Sequence, residues 1–461
     1  MLPQEYYSCV IDRLKNCYRF YDYFIAAGNE LLAEGCDPSF PAIAAPVEQL
    51  ERFTVQKTLQ VHLPIVGEKS RSVLMPIDFE IFLGNENHLL YSDRQTQKQY
   101  FIQTIPVAKF IEKIFRSRGM PYLLDYTPSG GHILFQNILG YRATKELMNI
   151  GYLENDLIKA CNFIDKNDIR RRFGISLDAA RIFSGLGKIA EYIAFLTLEA
   201  FRENESKGLY PATISDSLDR CINLDNTWSE GSPFMRSIRS PFSLHKKNHE
   251  KYGKYSQPSL VDVIGTYFDG IRAEEESNID FILDCMWDLE KAASHARRFT
   301  GDIPCSNENL IDFINEYRRS DLYAFHQDFE NQHDIPRGMA LEYANREPNI
   351  PKWTRNILNF PNPSALQPKN IIGFVYDFLI RANWKPKHIA NILRDLYQNP
   401  SYNWTQDFFK YPAEEKANYW ARVYSAVALW RTGKLNSSFA PTLCSKSFKG
   451  QVLDSFFKRA K

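Results

Sequence analysis

Residues 224–247 read LDNTWSEGSPFMRSIRSPFSLHKK. The second half of this stretch sets Arg236, Arg239, Ser243, His245, Lys246 and Lys247 around the step Ser240-Pro241-Phe242. Proline fixes its own φ and pushes the preceding residue toward an extended conformation, so the side chains that follow leave the turn in set directions. Cations and hydroxyls grouped on a stiff turn suit a polyphosphate or a nucleic-acid backbone. The plainer reading is a basic loop facing solvent. Two upstream stretches bear on the choice.

The first is Asp78-Phe79-Glu80, inside VLMPIDFEIFL (73–83). In a strand, residues two apart share a face, so both carboxylates project together while Phe79 goes the other way. Ionised groups in so apolar a strand are costly unless a cation meets them. Oxygen-only ligands favour Mg²⁺ or Mn²⁺. A surface-facing strand end or a pair of salt-bridged acids would look the same. The second is Ser129-Gly130-Gly131-His132, at the turn of YLLDYTPSGGHILFQNI (122–138). Two glycines would let backbone N–H groups approach an anion, with Ser129 and His132 as donors beside them. A glycine hairpin with a core histidine is the alternative.

Asp225 then offers a third carboxylate to Asp78 and Glu80. Three carboxylates are what a two-metal nucleotidyl-transfer site needs. Arg239, His245, Ser129 and His132 would offset charge on the transferring phosphate.

An acid-x-acid strand, a Ser-x-x-His turn, and a carboxylate followed by basic-Ser-Pro-Phe-Ser-x-His resemble, in that order, the archaeo-eukaryotic primase superfamily. The third motif is most similar to that of the catalytic subunit of eukaryotic-type primase. Here it is Arg239-Ser240-Pro241-Phe242-Ser243-Leu244-His245, followed by Lys246 and Lys247. The resemblance covers about residues 70–250 and rests on the three motifs. It implies that Asp78, Glu80 and Asp225 hold two divalent ions, Mg²⁺ or Mn²⁺, and that Ser129, His132, Arg239, Ser243 and His245 hold the triphosphate. It also implies a single-stranded DNA template and NTPs or dNTPs as partners. The chain departs from the family in having Glu80 where Asp is commoner, and no arginines between Ser129 and His132. The gap from Asp225 to Arg239 is long, so Asp216 and Asp219 remain alternative third ligands. No cysteine knuckle follows the first motif.

The bulk numbers fit an intracellular, cytoplasmic protein. The chain has 461 residues, enough for two or three domains. Hydrophobic content of 44% and charged content of 24% are those of a soluble globular protein. Net charge is +1, so nucleic acid would be bound through local basic surfaces rather than by a polycation. The eight cysteines contain no CxxC pair, so neither a structural zinc site nor an iron–sulfur cluster is expected and the thiols read as reduced. The N-terminus lacks the apolar run of a signal peptide, and no stretch reaches the length of a membrane span. No helicase phosphate loop occurs, so a helicase or other replication protein would be a separate chain.

The expected fold class is α+β. A primase-type catalytic domain of mixed sheets and flanking helices occupies 1–250. A helical region follows over 251–345, and a helical C-terminal domain over 346–461 that would initiate primers or bind template. Within the first domain the pattern predicts a helix over 5–35, strands at 58–66 and 72–83, a helix at 104–116 and the hairpin 122–138. A long helical region at 154–205 should bend near Ser184-Gly185-Leu186-Gly187. It carries Arg170, Arg171, Arg172, Arg181 and Lys188, of which Arg181 and Lys188, with Arg236, Lys246 and Lys247, are candidate nucleic-acid contacts. Further helices are expected at 260–271, 277–298, 308–319, 371–398 and 415–434. Trp384, Trp404, Trp420 and Trp430 read as core anchors before base-stacking platforms. The rival functions are a catalytically silent, primase-like nucleic-acid-binding subunit of a replication complex and an unrelated metal-dependent phosphohydrolase.

Overall fold

A computed structural model describes residues 1–34, 41–67, 71–172, 174–202, 211–212, 220–234, 236–255, 260–404 and 412–435. The protein is a mixed α+β chain with two sheets and a helical C-terminal region. Its strands are β1 (Tyr23–Ala27), β2 (Ala42–Pro46), β3 (Gln60–Pro64), β4 (Ser72–Phe82), β5 (Tyr122–Thr127), β6 (Gly130–Ile138), β7 (Pro211–Ala212), β8 (Cys221–Asp225), β9 (Ser237–Arg239), β10 (Val263–Phe268) and β11 (Ala273–Glu275). The smaller sheet runs β2-β1-β3-β9 and the larger β11-β10-β5-β6-β4-β8-β7. Every pairing is antiparallel except that of β7 with β8.

The helices are α1 (Pro3–Cys17), α2 (Arg94–Phe101), α3 (Ile105–Arg116), α4 (Arg142–Ile150), α5 (Asn155–Asn162), α6 (Leu177–Ala200), α7 (Lys246–Tyr252) and α8 (Ile279–Trp287). They continue as α9 (Leu289–Ala296), α10 (Asn309–Arg318), α11 (Asp321–Asn331), α12 (Met339–Arg346), α13 (Lys352–Asn359), α14 (Pro368–Tyr376), α15 (Pro386–Gln398) and α16 (Ala413–Arg431). Among the described residues, no helix is long and apolar enough to cross a membrane.

Strand β4 is the spine of the larger sheet. From Ser72 to Ile77 it is buried on both faces, and from Asp78 onward burial alternates, with Phe79 and Ile81 inside and Asp78, Glu80 and Phe82 partly open. The run therefore begins as a core strand and ends as a half-buried one, where polar residues are tolerated on the open face. Pro76 lacks an N–H for a ladder, but β8 joins β4 only from Asp78 to Phe82. Proline thus occupies the part of β4 that β8 leaves uncovered, as its missing donor requires.

Four expectations change. The helix predicted over 5–35 stops at Cys17, and Tyr23–Ala27 forms β1 between β2 and β3. The helical spacing of Tyr21 and Ile25 coincides with a strand whose ladder partners lie elsewhere in the chain. The helix predicted at 260–271 is β10, paired with β5. The boundary drawn at 250 therefore falls inside one sheet and one hydrophobic core, which extends from Tyr6 to Leu322 and takes in Ala426, Val427, Trp430 and Leu435 from the end of the described chain. Finally, α6 runs unbroken through Ser184–Gly187, while the interruption lies upstream, between Asn162 and Leu177. Gly185 serves close packing, because a Cβ there would come within 2.4 Å of the Leu147 carbonyl oxygen on α4.

A second core gathers apolar residues from Phe329 to Ala428, including Ala340 and Ala344 of α12, so it begins before the boundary expected at 346. Helix α16 belongs to both cores. Between them lies a buried polar network: Arg422 of α16 binds Glu191 of α6, whose other oxygen meets His326 Nε2 of α11 at 3.0 Å, and Lys188 pairs with Glu330. Such groups are tolerated inside only because each finds an opposite charge.

Candidate active site

Strand register brings the motifs together. Asp78 on β4 stands directly opposite His132 on β6 and Asp225 on β8, and His132 stands opposite Asp125 on β5. Directly opposed residues of antiparallel strands share a face, so Asp125, His132, Asp78 and Asp225 form one row across four strands. Glu80 sits one alternation further along β4 on the same face. Asp225 is oriented locally: its Oδ1 accepts hydrogen bonds from Thr227 N at 2.8 Å and Thr227 Oγ1 at 2.6 Å.

The row opens into a cleft of about 1690 Å³ lined by both sheets. Asp78, Glu80, Ser129, His132 and Asp225 line it from the larger sheet and its turns. His62 and Arg239, opposite each other on β3 and β9, line it from the smaller sheet, with Arg236 just before β9. His245 closes one side, its ring stacked on Tyr91 with centroids 5.7 Å apart, and Tyr91 is stacked in turn on Tyr252. The C-terminal helices reach the same cleft through Trp404 and Lys416.

Charge is concentrated here. Burial pushes the Asp78 carboxyl well above the usual carboxylate range, and the neighbouring Glu80 and Asp225 push it further, against the pull of Arg239 and Arg236. Burial likewise holds the His132 imidazole well below its ordinary value, assisted by Arg239 and His62. The group brought together at the cleft is a trio of carboxyls, Asp78, Glu80 and Asp225. Its oxygen-only donors suit hard ions such as Mg²⁺ or Mn²⁺.

The third motif is a structural joint as much as a binding element. Ser240 N donates to Val61 O, Ser243 N donates to Ser240 O, and Phe242 takes φ +65°, an uncommon conformation for a bulky residue. Tyr6 Oη donates to Phe242 O, and Leu244 N donates to Tyr7 Oη, tying the turn to α1. Ser243, expected to hold triphosphate, is fully buried. Its Oγ accepts from Val61 N at 3.0 Å and donates to Leu244 O at 3.1 Å, so it pins β3 instead of lining the cleft.

The glycines of the second motif take the plainer of their two readings, the hairpin. Gly130 and Gly131 lie inside β6, paired with Glu80 and Phe79 of β4 and with Thr127 and Tyr126 of β5, so they form ladder backbone and not an anion nest. A Cβ on Gly130 would sit 1.9 Å from Phe79 O. Of the nucleic-acid candidates, Arg236 lines the cleft and pairs with Glu230 at 3.4 Å. Lys246 pairs with Glu30. Lys188 is 1% exposed, bound to Glu330 and to Ile150 O, which removes it from any template surface. Arg181 is exposed on α6 and does not line the cleft. The Lys247 side chain and the alternative ligands Asp216 and Asp219 lie outside the described residues. Arg170 and Arg172, expected on the long helix, instead lie ahead of it and line the cleft. Trp420 and Trp430 are buried in the cores, and Trp384 and Trp404 pack against the second; Trp404 also lines the cleft, with Lys416 Nζ 4.8 Å from its ring centroid.

Sequence reasoning missed two acids, Asp125 and Asp262, which lie with His132 in a buried group. Both stand in apolar runs, LLDY and LVDV, the same signal that drew attention to Asp78. No protein-family model, curated protein or solved structure matches this chain.

Proposed function

We propose that the chain is a template-directed nucleotidyltransferase of the archaeo-eukaryotic primase type, making short primers on single-stranded DNA from NTPs or dNTPs. The observation that carries the reading is the register of β4 with β8: Asp78 opposite Asp225, with Glu80 beside them, facing a wall of His62, Arg236 and Arg239 across one cleft. Acids on one wall and cations on the other match a substrate whose triphosphate is bound from both sides, through metal ions and directly.

Asp78, Glu80 and Asp225 would hold two Mg²⁺ or Mn²⁺ ions. When bound, these supply the positive charge that activates a 3′-hydroxyl and stabilises departing pyrophosphate. Arg236 and His245 contact the phosphates. Arg239 faces the cleft while its Nε donates to Asp262 Oδ2 at 2.5 Å, which holds the guanidinium in place. Ser129 lines the cleft beside Tyr91. Tyr252, Trp404, Lys416, Arg170 and Arg172 supply the aromatic and basic lining that single-stranded nucleic acid needs.

The test is de novo synthesis on single-stranded DNA with labelled NTPs or dNTPs and Mg²⁺ or Mn²⁺. Products of several nucleotides, abolished by Asp78→Ala and by His245→Ala, are expected. Extension of a supplied primer alone would recast the protein as a polymerase. Template binding without incorporation would leave a binding subunit, and phosphate release without template a phosphohydrolase.

A further inference from the structure

Behind the cleft, Asp125 on β5, His132 on β6 and Asp262 just before β10 converge, each offering a ligand atom within 4.8 Å of the others. Their exposures are 0%, 4% and 1%. Groups so deeply buried are expected to be hydrogen-bonded. Instead, both carboxylate oxygens of Asp125, Oδ1 of Asp262 and Nδ1 of His132 have no hydrogen-bond partner. His132 Nδ1 approaches Asp125 Oδ2 at 3.5 Å without forming a hydrogen bond. Four orphaned polar atoms on three clustered, buried residues are a costly arrangement unless something joins them.

We propose that Asp125, His132 Nδ1 and Asp262 form a buried structural site for one divalent transition-metal ion of the Zn²⁺ class, separate from the carboxylate trio of the cleft, with the second oxygen of Asp125 or a water as its fourth ligand. The donor set is one imidazole and two carboxylates, which favours zinc-like ions over Mg²⁺ or Ca²⁺. A tetrahedral ion with bonds of about 2.1 Å places neighbouring ligand atoms about 3.4 Å apart, close to the spacing of Asp125 and His132. The surroundings are those of a metal-bound set. The other ring nitrogen of His132 faces Asp78 Oδ1 at 3.9 Å, and the other oxygen of Asp262 accepts from Arg239. Ligating histidines and carboxylates are commonly held by such outer partners. The site joins β5, β6 and the segment leading into β10, and it stands whether or not the cleft transfers nucleotides.

The experiment is metal analysis of the full chain by mass spectrometry, before and after chelation and after reloading with Zn²⁺ or Mn²⁺ separately. Wild type would be compared with Asp125→Asn, Asp262→Asn and the cleft double variant Glu80→Gln/Asp225→Asn. One equivalent that survives gel filtration in wild type and in the cleft variant, and is lost in both near-isosteric variants, is expected. The chelated wild type should also melt at a higher temperature as Zn²⁺ is added. Visible absorption of Co²⁺ taken up by the wild type provides a readout that needs no variant, because an intense band marks a four-coordinate site. Wild type that retains no metal and shows no such band would overturn the proposal, leaving the two carboxylates sharing a proton. Equal retention by Asp125→Asn would overturn it as well.

Discussion

Asp78 and Asp225 face each other directly across the β4–β8 ladder, with His132 on the far side of Asp78 in the same row. Two carboxylates in direct cross-strand opposition repel each other, and burial strengthens the repulsion. Asp78→Asn should therefore raise the melting temperature of the chelated protein while lowering nucleotide incorporation by about 10³-fold, the loss of several kcal/mol of metal-held transition-state stabilisation. Thermal unfolding in EDTA beside the incorporation assay checks both halves. A melting temperature that falls would show that Asp78 serves the fold.

Ser243 and Arg236 lie seven residues apart by number and should separate stability from binding. Ser243→Ala leaves the buried Val61 N–H without its acceptor, at a cost of about 1–3 kcal/mol in denaturant unfolding. Its affinity for single-stranded DNA per folded molecule should not change. Arg236→Ala should leave stability near wild type and weaken DNA binding, with the salt dependence reduced by about 0.7 in log–log slope, the signature of one lost phosphate contact on a single strand. Arg181→Ala should alter neither.

Lys188→Met strands Glu330 in the interface between the two cores. A loss of about 3–5 kcal/mol is expected, because an unpaired buried charge costs more than its pair contributes. Urea unfolding checks this. A wild-type midpoint would show that Glu330 finds another cation.

Glu191 sets an acid limit. Arg422 and His326 hold its carboxyl down to about 2, against the opposing effect of burial. A depressed folded pKa contributes stability that is present above the unfolded value near 4.5 and lost as pH falls toward 2. The amount is on the order of 3 kcal/mol. The groups facing Glu191 are Arg422, His326 and Lys188. Glu191→Gln should therefore be less stable at neutral pH and show a flatter loss of stability between about pH 4.5 and 2. Equilibrium unfolding across that range reads the slope.

Gly130→Ala should break the sheet at the cleft edge, since the added methyl meets Phe79 O at 1.9 Å on the adjoining strand. Overpacking of this kind costs about 1–3 kcal/mol or more. Failure to express soluble protein, or a large drop in melting temperature, is expected. A fully stable variant would show that the strands can part.

Much of the first domain was legible in local pattern. The alternation Asp78-Phe79-Glu80, the hairpin from Tyr122 to Ile138 and the Ser-Pro-Phe-Ser turn all follow from side-chain period and proline geometry, which act over a few residues. Lys188 was misread because its charge is visible in sequence and Glu330, its partner, is not near it in the chain. The glycines before His132 left both an anion loop and a hairpin open, because the pattern shows their lack of a side chain but not the strands on either side. The helices predicted at 5–35 and 260–271 failed at β1 and β10, where ladder partners contributed from distant residues outweigh local periodicity.

By itself, then, the amino-acid order determined which residue types were available and which faced together within a strand. Only tertiary structure decided which acids stand opposite which. Register between β4, β6 and β8, and between β5 and β6, is set by side-chain packing along whole strands, because a one-residue slip would exchange the face of every side chain. That cooperative choice placed Asp225 against Asp78 and brought Asp125 and Asp262 to the hidden nitrogen of His132.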